Sequence, residues 1–65
     1  MIKLNGKEVN NENGIQLDKL LIQEGYFIDR VAIELNGNII PKDEYSNITI
    51  KDGDSLEAVS FVGGG

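Results

Sequence analysis

Val31-Ala32-Ile33-Glu34-Leu35-Asn36-Gly37-Asn38-Ile39-Ile40-Pro41 is the stretch from which the architecture can be built. Val31, Ile33 and Leu35 alternate with Ala32, Glu34 and Asn36, which is the period of a half-buried strand. Asn36-Gly37 supplies the pair of positive φ angles that a two-residue hairpin needs. Asn38-Ile39-Ile40 returns from that turn. Pro41 ends the return, because it has no N–H to give to a ladder.

Toward the N-terminus, Leu17, Leu20 and Leu21 recur at i, i+3 and i+4, one face of a helix. The spacing predicts a helix over 16–24. Asp18 falls in its first turn, where the macrodipole favours a negative charge. Gly25 suits a left-handed cap at its end. Gln16 is a poor N-cap, so the first turn is expected to fray. Further back, Ile2 and Leu4 alternate with Lys3 and Asn5. Asn5-Gly6 marks another tight turn, and Lys7-Glu8-Val9 returns from it. Asn10 to Gly14 is polar and turn-rich.

Toward the C-terminus, Lys42-Asp43-Glu44-Tyr45 has the length of a single helical turn. Tyr45 is expected to plug the edge of the core. Ile48 and Ile50 lead into the turn Lys51-Asp52-Gly53-Asp54. Ser55 to Phe61 is the last strand, with Leu56 and Ala58 on one face and Glu57, Val59 and Phe61 on the other. A helix between strands lets the chain add a strand parallel to one already placed. The expected fold is α+β: a mixed sheet of four to five strands wrapped round one helix, the β-grasp arrangement, with the final strand inside the sheet.

Sixty-five residues make one domain, 1–65, which buries only about 60% of its unfolded surface and has no room for a deep substrate cavity. The net charge of -5 repels phosphate backbones, so nucleic-acid binding is not expected. The same charge suits steering toward a basic partner groove. No apolar run approaches the length of a membrane span. Cys and His are both absent, which removes disulfides, thiolate nucleophiles, the usual zinc sites and imidazole acid-base chemistry. A cytoplasmic location fits such a chain. Asp52 and Asp54 could be imagined as a metal site, but on Asp-Gly-Asp they read as turn formers, and no metal is expected.

The reactive feature is the end of the chain, Phe61-Val62-Gly63-Gly64-Gly65. Three glycines pass where side chains would not, and the group they present is the α-carboxylate of Gly65. Five extended residues reach roughly 15 Å, enough to leave a small domain and enter another protein's active site. Glycine runs at chain ends are commonly mere disorder, so the reading depends on the domain that carries them. The expected division is a folded core over 1–61 and a flexible tail over 62–65.

Leu35-Asn36-Gly37-Asn38-Ile39-Ile40-Pro41-Lys42-Asp43-Glu44-Tyr45, then Asp52-Gly53-Asp54, then Gly64-Gly65 resembles the ThiS-type sulfur carriers of thiamine biosynthesis, a ubiquitin-like β-grasp family. Lys42 stands where Arg is common there, and Tyr45 where Trp is common. Gly63 is an additional glycine before the terminal pair. The resemblance implies that an E1-like, ThiF-type enzyme uses ATP and magnesium to adenylate the Gly65 carboxylate. A sulfur donor such as a cysteine desulfurase then leaves a thiocarboxylate. That sulfur passes to a ThiG-type thiazole synthase. The chain itself would be no enzyme and would hold no cofactor; Gly63 and Gly64 would be needed to thread a narrow channel.

Ala32 and Glu34, with Glu57, Val59 and Phe61, fall on the strand faces opposite the expected helix side. They form a candidate docking patch. The structural alternative is that Val59 and Phe61 finish a second small core under a loop. Two other functions remain open to the sequence: a sulfur carrier for molybdopterin, sulfur amino acids or tRNA thiolation, and a ubiquitin-like interaction module with a passive tail.

Overall fold

The computed structural model describes residues 1–11 and 13–61. In chain order its elements are β1 (Ile2–Leu4), β2 (Lys7–Val9), β3 (Ile15–Gln16), α1 (Leu17–Gln23), β4 (Val31–Leu35), β5 (Asn38–Ile40), β6 (Thr49–Ile50) and β7 (Ser55–Ser60). Short 3-10 turns occupy Ile28–Arg30 and Lys42–Glu44. The main sheet runs β2-β1-β7-β4-β5, and β3 pairs with β6 in a separate two-stranded ribbon. β7 is parallel to β1 and antiparallel to β4, so the last strand is central and the sheet is mixed. This is the expected β-grasp arrangement.

Both Asn-Gly turns form as their residues predict, with Asn5 at φ 52° and Asn36 at φ 51°. Each asparagine then does a second task for β7. Asn5 Oδ1 accepts from the Ala58 N–H at 2.7 Å, and Asn5 Nδ2 donates to the Ala58 carbonyl at 3.0 Å. Its side-chain amide thereby extends the parallel ladder after the β1 backbone has turned away. Asn36 Oδ1 accepts from the Ser55 N–H at 2.9 Å, at the other end of the same strand.

The core is one cluster. Ile2, Leu4, Val9, Val31, Ile33, Leu56 and Ala58 of the sheet join Leu17, Leu20 and Leu21 of α1, with Tyr45 and Ile50. Tyr45 does plug its edge: it is buried, and its hydroxyl donates to the Val31 carbonyl at 3.1 Å.

The start of α1 departs from expectation. No side chain caps it, yet Leu17 N–H donates to the Ile48 carbonyl at 2.8 Å and Asp18 N–H to the Tyr45 carbonyl at 3.1 Å. A neighbouring loop therefore satisfies donors that a Ser or Thr cap would otherwise serve, and the expected reason for fraying is gone. The end of α1 follows expectation. Gly25 (φ +90°) donates to Ile22 and Tyr26 donates to Leu21, the paired bonds of a Schellman cap. The ribbon of β3 and β6 was not foreseen. Gly14 stands at its entry, where a Cβ would lie 3.2 Å from Thr49 and 3.3 Å from the Ile50 carbonyl.

Candidate functional site

The expected reacting group, Gly65, and the expected threading residues, Gly63 and Gly64, lie outside the described residues, as does the expected flexible tail over 62–65. What the structure defines is the root from which they follow. Ser60 is the last residue of β7, and the Phe61 N–H donates to the Arg30 carbonyl at 2.9 Å. Lys42 Nζ lies 5.9 Å from the centre of the Phe61 ring and donates to the Asp29 carbonyl at 3.0 Å. Phe61 is thus held through its backbone on one side and met by a cation on the other. At 38% exposed, it is only partly open to a partner.

The remaining candidate docking residues come together as expected. Ala32 is directly opposite Val59, and Glu34 is directly opposite Glu57, across β4 and β7. All four are exposed on the sheet face turned away from α1. Val59 is 63% exposed, so it does not finish a second core. Ile39 joins them from β5, opposite Glu34, at 79% exposed. That residue was missed from the sequence. The signal was present: a two-residue Asn36-Gly37 turn fixes Leu35 opposite Asn38 and hence Glu34 opposite Ile39.

Asp52 and Asp54 have structural partners. Asp54 accepts from the Lys51 N–H at 2.8 Å and from Asn36 Nδ2 at 3.0 Å. Asp52 pairs with the Met1 ammonium, whose hydrogen bond and charge hold its carboxyl below the usual carboxylate range. Among the described residues no group of three or more acidic, His or Cys side chains is placed to hold a metal. No helix among them is long and apolar enough to cross a membrane.

The fold agrees with comparison to known proteins. The ThiS family model matches residues 2–65. This chain belongs to the ThiS family. It is similar along its full length to the sulfur carrier protein ThiS of Bacillus subtilis, with 38% identity over 100% of both chains. The ThiS likeness extends to a solved structure, the thiamine biosynthesis protein of Geobacter metallireducens. That match has 30% identity, covers 98% of this chain and 97% of the other, and gives a TM-score of 0.76. A segment of the thiazole synthase of Paramagnetospirillum magneticum is 40% identical over 95% of this chain and 19% of that protein. The chain therefore spans about a fifth of the length of the first curated relatives it matches.

Proposed function

We propose that this ThiS-family chain carries sulfur on its own terminal carboxylate for thiamine biosynthesis in the cytoplasm. A free carboxylate is a poor acyl donor. Adenylation of Gly65 by an E1-like enzyme, using ATP and magnesium, joins one carboxylate oxygen to AMP with release of pyrophosphate and so makes that oxygen part of a good leaving group. The terminal sulfur of a persulfide on a donor such as a cysteine desulfurase displaces AMP to give an acyl disulfide, and a thiol reductant then cleaves its S–S bond to leave the thiocarboxylate. Thiazole synthase then takes the sulfur. Gly63 and Gly64 thread the partner's channel, and the face of Ala32, Glu34, Glu57 and Val59, with Phe61 at its edge, meets the partner.

The observation that carries this reading is the place of β7. It sits between β1 and β4, and Phe61 is tied to Arg30, so the last residues start from a fixed root at the sheet's centre. A handle built this way presents its end while the catalysts stay in other proteins, as suits a chain with no Cys or His. The names of the thiazole synthase relatives support that enzyme as the acceptor, over molybdopterin, sulfur amino acid or tRNA pathways.

The deciding experiment is an intact mass after incubation with ATP, an activating enzyme and a sulfur source. A gain matching one oxygen replaced by one sulfur at Gly65 is expected. Gly64→Val should fold as the wild type yet resist adenylation. Removal of Gly64-Gly65 without loss of function would instead assign the chain as a passive ubiquitin-like module.

A further inference from the structure

The pairing of β4 with β7 sets two carboxylates, Glu34 and Glu57, directly against each other on the exposed face. Residues so placed have Cβ atoms about 5 Å apart, a separation at which like charges destabilise the sheet. Nothing described within the domain relieves them. The ion pairs of the described residues are Met1 with Asp52 and Lys7 with Glu24. Lys3, on the same face of β1, stands opposite Ser55, two residues short of Glu57. The two acids are flanked by exposed apolar side chains: Ile39 beyond Glu34, and the Ala32–Val59 pair one row nearer Phe61.

What covers this face follows from its charge and its place beside the root of the tail, given the carrier reading above, on which this inference rests. Gly65 is four residues past Phe61, so its carboxylate lies at most about 13 Å from that root. Glu57 is four residues before Phe61 on the same strand, again about 13 Å. The outer face of β4 and β7 runs up to that root, and its two acids set among exposed apolar side chains suit a cationic group with an apolar surround on the enzyme that takes the carboxylate.

We propose that the activating enzyme places an arginine guanidinium between Glu34 and Glu57, with Ile39 and Val59 making the apolar contact around it. The planar guanidinium has enough fixed donors to serve two carboxylates at once. It is also weakly hydrated, so an apolar surround does not penalise it as it would an ammonium. The repulsion that burdens the free domain becomes attraction in the complex.

Two measurements should therefore move in opposite senses. Glu34→Gln and Glu57→Gln should each raise the Tm of the isolated domain by roughly 2–5 °C, because a like-charge contact is removed. In activation-dependent ATP–pyrophosphate exchange, each should raise KM for the carrier about 10-fold while kcat at saturation stays at the wild-type value. The wild-type KM should also climb with salt more steeply than that of either variant. A raised Tm with wild-type KM would overturn the proposal, since the face would then be strained but unread. An unchanged Tm would overturn it from the other side. Absence of exchange with the wild-type chain is a distinct result; it would remove the carrier reading itself.

Discussion

The two faces of the β4–β7 pair share one backbone and one register, and they have opposite fates. Val31, Ile33, Leu56 and Ala58 point inward and are buried against α1, while Ala32, Glu34, Glu57 and Val59 point outward and are exposed. Residue parity along two strands separates what holds the domain together from what the domain can show a partner. A slip of one residue would exchange the two sets, so the register is fixed by the inner face and the outer face inherits its geometry.

Substitutions test how complete that separation is. The largest effect is expected inside: Leu56→Ala removes a side chain with 0% exposure and should cost about 2–5 kcal/mol, much of the stability of so small a domain. Urea unfolding followed by circular dichroism measures it; a loss under 1 kcal/mol would mean the inner face does not carry the fold. Asn5→Ala should cost about 1–3 kcal/mol, because it strips two part-buried side-chain bonds from the Ala58 backbone. Asn36→Ala should lose less, since its bonds are exposed to water. If the two melt alike, side-chain bonding at β7 is not what distinguishes the turns.

Tyr45→Phe should cost about 1 kcal/mol at neutral pH by leaving the Val31 carbonyl without its donor. Burial holds the Tyr45 phenol above its ordinary 10.0. The unfolded chain therefore loses that proton first as pH rises, and the stability Tyr45 contributes is full below 10 and disappears as pH passes through the folded value. Melts at pH 9 and pH 11 should show the wild type dropping toward the variant; a constant gap would refute the link. The smallest effect lies outside: Val59→Thr should leave the stability of the free domain within about 0.5 kcal/mol of wild type. Weaker activation by the partner enzyme at an unchanged Tm would complete the contrast.

Much of this was legible in the residues. Asn5-Gly6 and Asn36-Gly37 named both hairpins, the leucine spacing named α1, and Pro41 ended β5. The ribbon of β3 and β6 escaped because two-residue strands have no period to read. The capping of α1 by the Tyr45 and Ile48 carbonyls was equally hidden, since backbone donors and acceptors leave no mark on the sequence. The outer face was half visible: alternation placed Glu34 and Glu57 outward, but only the β4–β7 register sets them opposite each other. Ile39 could have been read from the length of its turn alone.

The pairing of β1 with β7 has a consequence for how the domain is made. Lys3 finds its neighbour at Ser55, so the first strand waits for almost the whole chain before the sheet's middle can close. A nascent chain or fragment lacking residues 55–60 has β1 and β4 but nothing to join them, and loop closure over that distance is slow. Folding is thereby deferred until β7 has been made. Any copy that passes the cell's proteolytic inspection has been translated at least to the doorstep of its glycines.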